Sequence, residues 1–347
     1  MLAIRSSLMA CLLLAACDGN PFDPGAGGGG GTGGTGNASV STLPGTTNPT
    51  ANSDVTRTED KNKGPNVGGT APDVTGNGFA EGFRYNAAGD TFTVDNLAFD
   101  GGNVYTRSAA KPDLGPARVY EAAATYADPL TGVNIDQFSY RALYGVSTSG
   151  RSSFAIVRTG AYIPFGFGGF VFSRDGKVVL PTTGQADYTG GYAGLRDFNG
   201  QGGMQLTTGD MAMSIDFEDF NPDESATGNG AGIKGYVTNR RVLDLAGNDV
   251  TDQVLAEINA DKGSTLIELP SLVFSVGPGA LDNNGEAEGQ LGSSIIASGH
   301  LEAFESGKYY AVLSGNNAEE VVGVIVVTSS VSDVTVRDTG GFILYRQ

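Results

Sequence analysis

Three groups of residues in this chain have types that could do chemistry. Asp216, Glu218 and Asp219 place carboxyls in close succession, and at strand spacing the first two share one face. Paired carboxyls do acid–base work when they face each other across a cleft with separated pKa values. Here they alternate with Met211, Met213, Ile215 and Phe217, which reads instead as the solvated face of a half-buried strand. Asp282-Asn283-Asn284-Gly285-Glu286 offers oxygen ligands for a hard cation, but its spacing does not fit an EF-hand loop, and Asn-Gly is a hairpin-turn signal. The single histidine, His300, follows Ser298-Gly299 and reads as a surface residue in a turn. With one imidazole and two thiols, Cys11 and Cys17, there is almost nothing from which to build a Cys/His zinc site or a His-dependent nucleophile. No glycine cluster makes a phosphate-binding loop, so no cofactor and no metal are expected and the chain reads as non-catalytic.

The densest aromatic run is Tyr162 to Phe172. Tyr162, Phe165, Phe167 and Phe170, spaced by glycines, would form a protein-binding ridge if exposed. Their large buried areas favour the other use, packing between two parts of the body.

Charge narrows the partners. The chain has 21 basic and 38 acidic residues, a net charge of −17 at pH 7. Such a field repels phosphate backbones, which disfavours nucleic acid, and favours a protein partner with a basic surface. Glycine contributes 54 of the 347 residues, too many for an all-helical protein. It has no three-residue period, which removes collagen.

Elements that would position these groups begin after residue 70. Met1 to Ala16 has Arg5, an apolar stretch from Leu8 to Leu14 and small residues before Cys17, the pattern of a secretory signal. Leu14-Ala15-Ala16-Cys17 resembles the bacterial lipobox. That resemblance implies cleavage before Cys17 and acylation of its sulfur and amino end, hence a membrane anchor through Cys17. Residues 17–70 are rich in Gly, Thr, Asn, Ser and Pro and read as a disordered tether, with a root-mean-square reach near ~40 Å.

From residue 80 the chain reads as β. Thr91 to Leu97, Arg118 to Tyr126, Phe138 to Val146 and Ser153 to Arg158 alternate apolar and polar residues between turn signals. Beyond Thr183 the candidates are Gln185 to Leu195, the Met211 strand, Ile233 to Val242, Leu266 to Val276, Ala287 to Ser294, Tyr309 to Leu313, Glu320 to Thr328 and Gly341 to Tyr345. Eight antiparallel strands can close a small barrel. One exception is Asn248 to Lys262, where Val250, Val254, Leu255 and Ile258 recur at helical spacing before Gly263.

The stretch LPTTGQADYTGGYAGL from Leu180, the strand at Asp216, IKGYVTNR near Tyr236, YYAVLSGNNAEEVVGVIVV from Tyr309 and the closing GGFILYR resemble the C-terminal barrel domain of transferrin-binding protein B and its surface-lipoprotein relatives, including factor H binding protein. The resemblance implies an all-β fold, with a handle-like β region at 71–179 and an eight-stranded antiparallel β-barrel at 180–347. It also implies a lipid-anchored receptor on the bacterial outer membrane that binds a protein ligand. Asp18, beside the lipidated Cys, resembles an inner-membrane retention signal and leaves placement open. Glu319 and Glu320 in the Asn-Ala-Glu-Glu-Val turn read as structural. The family's FYG before that turn is replaced here by Tyr310 to Gly315, and the receptors have two handle-plus-barrel lobes where this chain has length for one. The alternative function is capture of a small molecule or iron complex for an outer-membrane transporter, which needs a wide apolar lumen.

Overall fold

The computed structural model describes residues 40–60, 79–161, 165–218, 231–277 and 279–347; the signal segment, Cys17, Tyr162 and Asp219 lie outside them. Two bodies of sheet make up the fold. The first comprises β1 (Val55–Thr58), β2 (Glu81–Asn86), β3 (Thr91–Asp95), β4 (Val104–Arg107), β5 (Asp113–Leu114), β6 (Ala117–Ala122), β9 (Tyr140–Val146), β10 (Ser152–Thr159) and β11 (Gly168–Arg174), with a separate hairpin of β7 (Thr125–Ala127) and β8 (Asn134–Asp136) inserted after β6. Its order is β1-β11-β10-β9-β6-β4-β3-β2, and β5 adds to β6. The second is a closed barrel of β12 (Gln185–Phe198), β13 (Met204–Asp216), β14 (Gly232–Leu243), β15 (Leu272–Phe274), β16 (Glu286–Ala297), β17 (His300–Ser314), β18 (Glu320–Val331) and β19 (Val334–Arg346). Each strand pairs with its sequence neighbour, and β12 pairs antiparallel with β19 to close the ring, Tyr188 opposite Arg346 and Phe198 opposite Val336.

Alternation decides what each strand buries. Along β13, Met211, Met213 and Ile215 turn inward while Ala212, Ser214 and Asp216 stay partly exposed. Tyr188, Met213, Phe274, Tyr309, Phe342 and their neighbours form one buried cluster that fills the lumen, with Phe274 and Tyr309 stacked at 4.2 Å. A second cluster joins the bodies, Phe154, Ile156, Phe170 and Phe172 of the first sheet packing on Leu195, Val322, Val324 and Ile343 of the barrel wall. A third, rich in Tyr and Phe, fills the curl of the first sheet on its other side. Two adjacent glycines in β19 show why this chain needs so many: a Cβ on Gly340 would run into the Tyr192 ring inside the barrel, and one on Gly341 into Phe154 outside it.

The helix α1 spans Thr251–Lys262 between β14 and β15. Asp249 accepts the Thr251 N–H at 2.9 Å at its start, and Gly263 ends it with φ 63°. Val254 and Ile258 pack with Val242 and Val331 over one barrel rim.

Two expectations need correction. The strand read from Leu266 to Val276 shrinks to Leu272–Phe274, because Leu266 and Leu269 turn to pack under α1 and Pro270 offers no amide to a ladder. Residues 40–60, read as tether, are built into the body. Val55–Thr58 pairs with β11 over Arg174 to Val171, Val55 is fully buried, and Leu43 joins the core between the bodies. Composition missed this because the segment has few apolar residues and is held largely by polar partners far along the chain.

Candidate protein-binding surface

The aromatic run is not an exposed ridge. Phe165 is buried with the Arg337 guanidinium 4.6 Å from its ring centre, and Phe170 is buried with Tyr310 stacked at 6.5 Å. Phe167 is half-buried against Phe138, and Tyr162 lies outside the described residues. Packing between the bodies withdraws Phe165 and Phe170 from any partner. Asp216 accepts a hydrogen bond from the Gln185 side-chain amide at 2.9 Å at the barrel rim, and Glu218 is exposed beside it. His300 is exposed at the β16–β17 turn. In the Asp282 turn the carboxylate does the work of a cap, accepting the N–H groups of Asn284 and Glu286 at 2.9 Å each, while Gly285 takes φ 79°. Among the described residues no three His, Cys, Asp or Glu side chains form a group that could hold a metal ion.

Several buried charges lie at the joint between the two bodies, and Arg57, Arg174 and Glu320 bond across it. Arg57 donates from Nε and Nη2 to Glu286 at 2.6 and 2.9 Å, and Glu286 is fully buried. Arg158 donates to Glu59 at 2.8 and 3.1 Å and to the Thr339 hydroxyl at 3.2 Å. Burial alone would raise the Glu59 carboxyl, but Arg158 and Arg337 outweigh it and hold it below the usual range. Arg174 spreads its guanidinium over the carbonyls of Thr50, Ser53, Asn284 and Leu313; burial lowers it to about 10. Glu320 is buried where hydroxyls of Ser147, Ser149, Ser152 and Ser314 converge on its Oε1 at 2.8–3.1 Å. Glu319 pairs with Arg151. Sequence reasoning found these two glutamates structural but had no sign of the serine cage, three of whose members come from the β9–β10 turn and the start of β10 and the fourth, Ser314, from the end of β17.

Inside the barrel a polar layer lies toward the α1 rim. Arg240 forks onto Glu305 at 2.7 and 2.8 Å, and Asp338 accepts from Tyr192 and Thr207 at 2.8 and 2.9 Å. Asp338 Oδ2 has no hydrogen-bond partner, and burial raises this carboxyl despite the nearby Arg240. Aromatic and aliphatic side chains fill the remainder. Among the described residues the lumen is occupied by this packed core, which does not favour the solute-capture alternative and the wide apolar lumen it requires.

The five most exposed large apolar side chains lie on or beside turns at one end of the molecule, while Val179, Tyr236, Val273 and Val276 are exposed elsewhere. The barrel has a near rim, where the chain is first described at Val40, whose N–H is donated to Asp282, and a far rim, where β16 turns into β17 and α1 sits. β10 runs from Ser152, bonded to Ser314 at the near rim, to Gly160, which accepts the Gly203 N–H at the far rim. β6 is parallel to β10, since both pair antiparallel with β9, so the β7–β8 hairpin that continues β6 extends toward the far side. Leu130 (95% exposed) and Val133 (63%) stand on this hairpin, Ile296 (64%) and Leu301 (77%) flank the β16–β17 turn, and Ile267 (93%) follows α1. Asp128 builds the hairpin tip by accepting the N–H groups of Leu130 and Thr131 at 2.8 and 2.7 Å. Beside it Phe99, 56% exposed, is held at φ 54°, an unusual conformation for a bulky residue, by its carbonyl bond to the Phe138 N–H at 2.8 Å. The same segments carry exposed Asp136, Asp252, Glu257, Asp261, Glu268 and Glu302.

No protein-family profile and no curated protein matches the chain. Among solved structures it is similar to a double mutant of transferrin binding protein B from Haemophilus parasuis Hp5, at 10% identity and TM-score 0.35, covering 76% of this chain and 44% of that one. It is also similar to the isotype 1 transferrin binding protein B of serogroup B Neisseria meningitidis, at 12% identity and TM-score 0.32, covering 85% and 56%. The chain thus spans about half the length of these two structures. Its own strand pairing shows one curled sheet docked on an eight-stranded closed barrel among the described residues, the handle-plus-barrel fold that the sequence resemblance implied.

Proposed function

We propose that this protein is a non-catalytic, lipid-anchored binding module that presents the far-rim tips to a protein ligand with a basic surface. The carrying observation is that the five most exposed large apolar side chains, Leu130, Val133, Ile267, Ile296 and Leu301, lie on or beside turns directed to the far side, with exposed carboxylates on the same segments, while the charges at the joint and in the lumen are used within the fold. Apolar anchors inside a charged rim are how protein interfaces concentrate affinity, and the acidic field selects and steers a basic partner. The anchor is Cys17, with the residues after it as tether, and the membrane is the outer membrane, the tips facing outward.

Affinity capture from the native environment with the intact lipoprotein tests the reading. Replacing Leu130 and Val133 together by Asp is expected to weaken the captured complex at least tenfold, and raising salt is expected to weaken the unsubstituted one. A complex indifferent to both changes counts against it. Cys17→Ser is expected to release the protein from the membrane fraction, and unchanged retention removes the anchor.

A further inference from the structure

The near rim has a feature that ligand display does not use. A cleft of about 750 Å³ opens beside the barrel mouth, floored by Val178, Leu180, Phe217 and Leu281, with Val40 on its wall and Asp282 at its edge. Leu180 and Phe217 are half-buried against the lumen core, and Val179 on the same wall is 46% exposed. The floor is therefore the outer end of the hydrophobic core, left uncovered by the residues described.

Where the chain leads from this cleft identifies its occupant. Val40 is both the first described residue and part of the wall, and its backbone is pinned there by the Asp282 carboxylate at 3.1 Å. Two residues on, Thr42 donates its N–H and its hydroxyl to Glu288 at 2.7 and 3.0 Å, fixing the direction of the strap. Upstream, residues 18–39 separate Val40 from Cys17 and are mostly Gly, Thr, Asn and Ser. A Gly-rich stretch of that length has a root-mean-square reach of about 26 Å and holds its far end near the cleft at millimolar effective concentration. Once the leader with Leu8 to Leu14 is cleaved, the most apolar group left upstream of Val40 is the acyl chain on Cys17. Hydrocarbon in water gains for every methylene it buries, and an apolar cleft within tether reach is the nearest place to bury it.

We propose that the near-rim cleft is a docking site for an acyl chain, the one carried by Cys17 of the same molecule. The inference rests on the lipidation reading above. It gives the protein a second state, with the acyl chain folded back into the cleft when no bilayer is at hand and released into a membrane when one is.

The test uses cells fed a diazirine-bearing palmitate. The lipidated full-length protein is purified without detergent, irradiated and mapped by peptide mass spectrometry. Transfer of the label to peptides containing residues 178–182, 217–218 and 279–283 is expected, with a drop of at least tenfold in a Val179→Glu, Leu180→Glu double variant of unchanged circular dichroism. Label spread evenly over the surface, or confined to a neighbouring molecule in the crosslinked dimer, overturns the proposal. Absence of an acyl mass on Cys17 would overturn the lipidation reading. The cleft is then judged with free palmitate titrated into the full-length Cys17→Ser protein, where saturable binding abolished by the same double variant keeps an acyl site and no binding removes it.

Discussion

The barrel lumen and the joint between the two sheets are equally buried but made of different materials. The lumen is mainly interlocking aromatic and aliphatic side chains, Phe274 on Tyr309 and Tyr192 over Gly340, with a single polar layer around Arg240, Glu305 and Asp338. The joint has an apolar patch of its own, bordered by Arg57–Glu286, Arg158–Glu59, Arg337–Asp197 and the serine-caged Glu320. Dense apolar packing supplies most of the free energy, whereas buried ion pairs cost desolvation and give back little net stability. Their effect at the joint is one of register. A sheet slid by one residue along the barrel would part Arg57 from Glu286, draw Arg174 off the Asn284 and Leu313 carbonyls and take Ser147 and Ser152 from Glu320, so the joint favours one alignment.

That contrast can be broken at several strengths. The largest expected effect is Arg57→Ala, which strands Glu286, fully buried, without its cation. About 3–5 kcal/mol of stability should be lost in urea unfolding, and the Arg57→Met, Glu286→Leu pair should recover most of it. If the single substitution costs no more than an exposed ion pair, the joint is not built as described. Next is Glu320→Gln, which keeps acceptor geometry but removes the charge that the serine hydroxyls point at; about 1–2 kcal/mol is expected, with earlier proteolysis of the β9–β10 turn.

The smallest effect has a distinctive sign. Glu59 at the joint and Glu305 in the lumen are held below their ordinary values, burial being outweighed by Arg158 and Arg240. Their contribution is complete above the unfolded-state value near ~4.3 and is lost as pH falls through the lower folded one. Asp338 is raised by burial, so its contribution is present in acid and lost as pH rises. Asp338→Asn should therefore raise the melting temperature at pH 7, by the equivalent of under ~1 kcal/mol, and lose that advantage near pH 4. A fall at both pH values would show that Asp338 is needed as a carboxylate.

Much of the barrel was legible because alternation is a local signal. Met211, Met213 and Ile215 mark β13 with no help from the rest of the chain, and Val254, Leu255 and Ile258 before Gly263 mark α1. The first half of β17, from His300 to Gly307, was invisible because neither face of it is strongly apolar, and only its pairing with β16 makes it a strand. The aromatic density at Tyr162 to Phe172 reads as packing first and as a binding ridge only if exposed, and the burial of Phe165 and Phe170 fits the first reading. The exposed tips have ordinary residues such as Leu130 and Leu301, whose role comes from where β6 and β16 end. The strap at 40–60 failed for a third reason: Arg57 is meaningful only beside Glu286, 229 positions away.

The strap also constrains how the molecule reaches its final state. Val55–Thr58 waits for β11, Arg57 waits for Glu286, and β12 waits for β19, whose pairing spans nearly the whole barrel. Each closure orders a long loop before any contact rewards it, which slows folding and removes partly built stopping points. Maturation should therefore be a late, cooperative event on the scale of milliseconds to seconds, and a chain lacking β19 should leave the strap, the joint and the barrel all unformed together.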